Sequence, residues 1–493
     1  MENEDPTGFD ARALRRISVS LALIFAASLA YNSFFTGSLW LDELSTFWVV
    51  RDSLADTWHR AIAFQGQSPL YYLLLWADLQ IFGSSEISLR LISLVALILA
   101  GGTLFRLARR LFDDEVALLA VVFFFSSSCV LRALSARPYA LALLFAVLSV
   151  DALSRWLRSS ERRHLIEYVI FTALTYYSHY LFAPIVIFHG ALVWWLAKDS
   201  TQGRTQRVRS FLGGLLAIGV LAAPGLVQLA SLNSRRASLF YLEHTSLLEF
   251  VKVLLPVTLL LSIVVGVVVI WAFTRGMRFQ RVQGEAGHIC ALLVGYVLPP
   301  LLFFLYSLVG HGSLFNDRYF AWYAIPLSLL LAMGIKRLHP ARLRTLCVVV
   351  IVLFLSFAET QRRWQIEDWR EASRALQSAN AATPVLLASG LVEANDVRWY
   401  AEAEKKAYLT SPLGYYPMAG LTVLLPRQFD SVAAKAYLAE INSEVFKHAS
   451  KVYLVYLTPL PQSLRAQLSV YAEARHLKRR VLLKGPVGVE VFE

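Results

Sequence analysis

Four short clusters hold the residues of this chain whose types allow chemistry. Asp42 and Glu43 follow Trp40; Arg137, Pro138 and Tyr139 stand together; His179 adjoins Tyr180; Asn316, Asp317 and Arg318 form the fourth cluster. A carboxylate can accept a proton, a guanidinium can grip a phosphate through paired N–H groups, and a histidine or tyrosine can hydrogen-bond a polar substrate. Each cluster also has a plainer reading. The acidic pair suits a solvated loop or a helix N-terminus, the arginines suit snorkelling from helix ends to headgroups, and His179 suits a structural hydrogen bond. Asp78 and Gln80 read as the wet face of a helix, and His244 and His311 carry no motif. Position separates the four clusters from such background. Each borders an apolar run, and all fall on one side of the membrane those runs define, where an ionisable residue is a functional candidate by default.

The elements that must position these residues follow from composition. Of 493 residues, 57% are hydrophobic and only 17% charged, with mean hydropathy +0.52. A soluble protein carries about 25% charged residues, so a soluble globular enzyme is excluded. The aromatic content of 13% excludes a disordered chain. Spanning the hydrocarbon core takes about 20 apolar helical residues, since backbone polar groups must be satisfied within the helix. Eleven such runs centre on 17–35, 89–107, 115–131, 138–157, 165–180, 181–197, 211–230, 250–274, 289–309, 319–338 and 343–358. With the N-terminus inside, the inside segments carry more than twice as many Lys and Arg as the outside ones, as cytoplasmic loops do. That asymmetry explains much of the net charge of +12 and makes a nucleic-acid partner unnecessary. The first run also reads as a signal peptide ending at Ser28, Leu29 and Ala30; either way Tyr31 lies outside.

Two regions are not spans. Residues 36–88 read as a long outside loop with interfacial helices, one of them Leu70 to Phe82 with Ser68 as N-cap and Pro69 as first residue, lying on the membrane surface. Residues 359–493 read as a small extracytoplasmic α/β domain: helices near 368–379, 431–446 and 462–476, and strands at 385–388, 421–425, 452–457, 480–483 and 487–492. The expected architecture is therefore an α-helical polytopic membrane domain over 1–358 and an α/β domain over 359–493. The tail shows no Gly-rich phosphate loop. Cys129, Cys290 and Cys347 lie in apolar runs, without disulfide or zinc-ligand spacing.

In this order the motifs Ser38-Leu39-Trp40-Leu41-Asp42-Glu43-Leu44, Ser68-Pro69-Leu70-Tyr71-Tyr72 followed by Phe82-Gly83 and Leu89-Arg90, Ala136-Arg137-Pro138-Tyr139-Ala140-Leu141, Ser178-His179-Tyr180, Asp317-Arg318-Tyr319 and Asp368-Trp369-Arg370-Glu371-Ala372 resemble the GT-C superfamily. The nearest pattern is that of the polyprenyl-phosphate-sugar-dependent glycosyltransferases of the protein mannosyltransferase and lipid A aminoarabinose transferase group (glycosyltransferase family 39 type). The resemblance covers residues 15–372.

What the resemblance implies is an inverting transfer of a hexose or pentose from a polyprenyl phosphate to an outside lipid, glycan or protein in the cell envelope, lipopolysaccharide among the candidates. Asp42 matches the acidic residue that deprotonates the acceptor hydroxyl. Arg137 and Arg318 become the partners of the departing lipid phosphate. Tyr139, His179 and Tyr180 become substrate contacts. Glu43 is left to orient Asp42, bind the sugar or help hold a divalent metal, and no cofactor is assigned. Some relatives carry a second acidic residue in the next outside loop; between Leu131 and Tyr139 this chain offers only Arg132, Ser135 and Arg137. The expected location is a bacterial inner or plasma membrane. A transporter or lipid flippase is the alternative class, disfavoured because no internal repeat is visible and the charges gather at one face.

Overall fold

The computed structural model describes residues 37–196, 203–234, 245–255, 278–279, 286–309, 315–339, 344, 346–351, 353–354, 367–377, 379–426, 432–444, 449–460, 462–474 and 476–493. The expected span at 17–35, most of that at 250–274 and the end of that at 343–358 lie outside these residues.

The loop after the first expected span holds three helices, α1 (Leu41–Val50), α2 (Leu54–Ala63) and α3 (Leu70–Phe82). The reading above expected interfacial helices here and gave bounds only for the last. Ser53 starts α2 with a capping box, its Oγ accepting from Asp56 N while Asp56 bonds back to Ser53. Helix α3 has the expected extent, but its N-cap is Pro69 and not Ser68.

The bundle continues with α4 (Glu86–Leu111), α5 (Asp114–Ser126), α6 (Ser128–Arg132), α7 (Tyr139–Ser159), α8 (Arg162–Ser178), a 3-10 turn Tyr180–Phe182, α9 (Ile185–Leu196), α10 (Arg204–Ser234), α11 (Leu247–Leu254), α12 (Ala286–Val309), a 3-10 segment Asp317–Tyr323 and α13 (Ala324–Lys336). The run expected at 115–131 is broken at Ser127, whose extended backbone separates α5 from α6. Ser126 Oγ donates back to the Val122 carbonyl at 2.8 Å, the competition for backbone partners that makes serine poor in helix interiors. Among the described residues, five helices are long and apolar enough to cross a membrane: Glu86–Leu111, Tyr139–Ser159, Arg204–Ala230, Ala286–Val309 and Arg318–Lys336. Strands β1 (Arg278–Phe279) and β2 (Leu338–His339) form a short antiparallel pair.

The tail folds as expected for an α/β unit. Helix α14 (Trp369–Ala375) leads to β3 (Pro384–Ala388); α15 (Ala403–Leu409) and α16 (Ser411–Tyr415) follow; then come β4 (Leu421–Leu424), α17 (Val432–Glu444), β5 (Val452–Leu457), α18 (Gln462–Ala474), β6 (Arg479–Leu483) and β7 (Val487–Phe492). The strand order is β4-β3-β5-β7-β6, with β3 parallel to β4 and β5, and β7 antiparallel to β5 and β6.

Both faces of the central strands β3, β5 and β7 are buried, and the period-two alternation of a strand divides them. Val385, Leu387, Tyr453, Val455, Val489 and Val491 join the core that runs on through the loop helices into the bundle. Leu386, Ala388, Leu454 and Tyr456 face the other way, packing with Ile441 of α17 and with Leu468 and Ala472 of α18. The tail is thus continuous in packing with α1. At Gly390, where φ is +81°, a Cβ would stand 3.2 Å from the Leu41 side chain. Trp48 of α1 meets Tyr408 of α15 edge-on at 5.3 Å.

Candidate active site

Asp42 is the second residue of α1, whose first turn carries both acids. Asp42 and Glu43 are adjacent in sequence and entirely different in surroundings. Glu43 is fully buried, and each of its oxygens accepts twice: Oε1 from Arg90 Nε at 2.8 Å and from Ala136 N at 2.7 Å, Oε2 from Arg90 Nη2 at 2.6 Å and from Trp40 N at 3.2 Å. A carboxylate has about four acceptor sites, and these four bonds occupy them, so Glu43 is a saturated acceptor. The Asp42 side chain is 32% exposed, and its Oδ2 accepts from Arg318 Nη1 at 3.1 Å. The Arg318 guanidinium, 27% exposed, also lies over the Trp40 ring at 5.1 Å.

Arg137 approaches α1 from the opposite element. Its Nη1 donates to the Asp42 carbonyl at 3.4 Å, to Thr46 Oγ1 at 3.2 Å and to Gln65 Oε1 at 3.1 Å, while its buried Nε has no hydrogen-bond partner among the described residues. Pro138 then stands at the N-cap of α7, because its fixed φ suits a helix start and its missing N–H is not needed there.

A polar chain continues from Arg137. The Tyr72 hydroxyl donates between Gln65 Oε1 at 3.1 Å and Gln67 Oε1 at 3.2 Å, and burial pushes its pKa up to about 12, so it remains a donor at neutral pH. Gln67 Nε2 lies 3.2 Å from His179 Nε2. The His179 ring, itself buried, packs on Tyr139 at 4.9 Å and on Tyr319 at 6.0 Å. Tyr180 joins one step further away, donating to Gln228 Oε1 at 2.6 Å while Gln228 Nε2 donates to the Gln67 carbonyl at 3.0 Å. The structure thus sets Arg318 on the Asp42 carboxylate and Arg137 on the Asp42 backbone carbonyl, links Tyr139 and His179 to Arg137 through Gln65, Tyr72 and Gln67, and sets Tyr180 at the periphery.

Arg90, Gln65, Gln67, Tyr72 and Glu367 were not singled out from the sequence. Arg90 and Tyr72 lie in motifs quoted above, and Glu367 immediately precedes another. Gln65 and Gln67 flank Gly66 just before Ser68-Pro69, a pair of amides in a mainly apolar stretch. Glu367 Oε2 accepts from Leu41 N at 2.7 Å and from Trp369 Nε1 at 2.8 Å. Burial raises its pKa, and the nearby charges of Asp42 and Glu43 add to this against the two hydrogen bonds. Among the described residues, no group of three or more His, Cys, Asp or Glu is placed to hold a metal ion.

A family model described as dolichyl-phosphate-mannose-protein mannosyltransferase matches residues 66–227, the stretch from the Gln65–Gln67 loop through α10. ArnT from Cupriavidus metallidurans in the apo state is similar in structure, with TM-score 0.53 at 12% identity, over 96% of this chain and 97% of that one. The chain has the GT-C fold. The Archaeoglobus fulgidus oligosaccharyltransferase in its apo form is a second GT-C structure similar to it, with TM-score 0.50 at 11% identity over 92% of this chain and 70% of that one. The same ArnT bound to undecaprenyl phosphate aligns over 96% of this chain and 97% of that one, at 12% identity and TM-score 0.48. No curated protein matches the sequence. Five apolar helices and the GT-C fold make this an integral membrane protein.

Proposed function

We propose that the chain transfers a sugar, with inversion, from a polyprenyl-phosphate-linked donor to an acceptor hydroxyl at the outer face of the membrane. The observation that carries this reading is the partly exposed Asp42 carboxylate held 3.1 Å from Arg318 on one GT-C framework. The match to a family described by a lipid-phosphate mannose donor supports the donor class.

In this reading Asp42 takes the proton of the acceptor hydroxyl as the oxygen attacks the anomeric carbon. The bond from that carbon to the phosphate oxygen breaks on the opposite face, and the lipid phosphate leaves with the bonding pair. Arg318, within reach of the base and of solvent, balances the charge that builds on the phosphate. Arg137 adds a second positive charge behind Asp42, with Nε still available as a donor. Tyr139 and His179, two rings in tilted contact, supply the aromatic face and polar edge against which the sugar lies, and Tyr180 supports that wall through Gln228. Glu43 does no proton transfer here. Its pairing with Arg90 fixes the start of α1, and so the direction of Asp42.

The acceptor is a lipid, a glycan or a protein on the extracytoplasmic side. The test is to incubate purified protein with polyprenyl-phosphate pentose and hexose donors and follow sugar release and transfer. Transfer from at least one donor is expected. Movement of the intact lipid between leaflets without any sugar release would replace this reading with that of a flippase.

A further inference from the structure

The residue before Asp42 poses a problem that the tail solves. A helix leaves its first N–H groups without intrahelical partners, and Ser, Thr, Asp or Asn at the N-cap normally supplies an acceptor. Helix α1 has Trp40 there, and an indole has no acceptor to offer. Glu43 takes the Trp40 N–H from within the helix. The Leu41 N–H is taken by Glu367, 326 residues further along the chain, at 2.7 Å.

Further hydrogen bonds tie the tail to the segment that enters α1. Tyr416 Oη accepts from Leu39 N at 2.9 Å, and Arg370 N donates to Ser38 Oγ at 3.3 Å. The Arg370 guanidinium and the Tyr416 hydroxyl both bond the Glu86 carboxylate at the start of α4, so the ties are themselves fixed to the bundle. From the other side Arg90 holds the Gly37 and Ser38 carbonyls at 2.9 and 3.0 Å. The segment that delivers Asp42 is clamped between the bundle and the tail.

We propose that Glu367 is a positioning residue for the transfer reaction: it caps α1 from the tail and so holds Asp42 in register with Arg318. The assignment rests on the reading of Asp42 as the base. It makes the α/β tail part of the active-site framework. Glu367 acts as an acceptor at a fixed reach, and its negative charge is dispensable.

Two conservative variants separate reach from charge. Glu367→Gln keeps an oxygen at the same distance and loses the charge. Glu367→Asp keeps the charge and withdraws the oxygen by about one carbon–carbon bond, roughly 1.5 Å, which takes a 2.7 Å contact beyond hydrogen-bonding range. In the full-length protein, kcat of the Asp variant should fall about tenfold or more with the donor KM changed less than about twofold, and the Gln variant should keep at least about a third of kcat. If Gln is as impaired as Asp, or more so, the charge is what matters and the proposal fails; it fails equally if Asp is as active as wild type. Hydrogen exchange of the peptide covering 38–46 tests the clamp without turnover, so it stays informative even if wild type transfers no sugar from any donor. The Leu41 amide should exchange at least about tenfold faster in the Asp variant and near the wild-type rate in the Gln variant. Equal protection in all three proteins overturns the capping role.

Discussion

Arg90 and Glu43 form a two-pronged ion pair, Nε to Oε1 at 2.8 Å and Nη2 to Oε2 at 2.6 Å, with side-chain exposures of 6% and 0%. Such a pair gains little net stability over an apolar pair, but losing one partner strands a buried charge, at a cost of about 3–5 kcal/mol. Arg90→Ala should therefore lower the thermal midpoint of the detergent-solubilised protein substantially. Replacing both residues by Met should recover part of the loss. A melting curve of Arg90→Ala that superimposes on wild type would show that Glu43 finds another partner or a proton.

The tail carries a second carboxylate of this kind. Glu490 accepts from Arg479 Nε at 2.6 Å and from the Tyr456 hydroxyl at 2.8 Å. Burial works to raise its pKa, but these bonds outweigh burial and hold it below the ordinary carboxylate value. A folded-state pKa below the unfolded one adds stability above the unfolded value, and that stability is lost as pH falls through the folded one. The melting midpoint of wild type should thus drop more steeply than that of Glu490→Gln as pH falls from about 5 toward 3, around the unperturbed glutamate value of about 4.3. Parallel profiles would assign the acid sensitivity to other groups.

The strands of the tail were legible in the sequence because each is a short apolar run between turn residues; Val452–Leu457 begins and ends where the pattern says. Ser53-x-x-Asp56 was an available signal for α2 that periodicity over ten residues did not bring out. For α1 the local signal is slight: the acidic pair suits a helix N-terminus and Glu43 bonds back to Trp40 N, but the acceptor of Leu41 N is Glu367 and the anchor is Arg90, and neither partnership can be seen without the tertiary fold. The same limit hid the difference between Asp42 and Glu43. As neighbours in a sequence they are equivalent acids, and only their positions around α1 make one buried and saturated and the other accessible.

Orientation is a separate expectation, drawn from the excess of Lys and Arg on the side of the N-terminus. The eleven spans expected from the sequence, an odd number, are then expected to carry the tail, and with it the Asp42–Arg318 pair, to the outer face. A reporter active only in the periplasm, joined after Glu493, should be active. Activity of a cytoplasm-only reporter at that position would reverse the placing of the whole site.

Arg318 and Arg137 should differ when removed. Arg318 is partly exposed and bonds the Asp42 carboxylate, so Arg318→Ala should weaken donor binding more than acceptor binding, with Lys rescuing only partly because it lacks the planar fork. Arg137 also holds Thr46 and Gln65, so Arg137→Ala should reduce both donor binding and turnover. If both Ala variants bind a polyprenyl-phosphate sugar as wild type does, the arginines only anchor helix ends.

The sharpest expectation concerns Asp42. Asp42→Asn keeps the size of the side chain and an oxygen for Arg318, so the ion-pair geometry at 3.1 Å can survive as a hydrogen bond. What it loses is the ability to accept a proton, and general-base catalysis contributes about 10² to 10⁴ in rate. Turnover should fall by that order while donor affinity stays near wild type. Glu43→Gln perturbs a different quantity. It weakens the pair with buried Arg90, so its loss of turnover should track a loss of thermal stability, which Asp42→Asn should not show. Measuring transfer rate, donor affinity and melting side by side distinguishes the two. Normal transfer by Asp42→Asn together with an inactive but stable Glu43→Gln protein would move the base to Glu43, and full activity in both would remove carboxylate catalysis from this site.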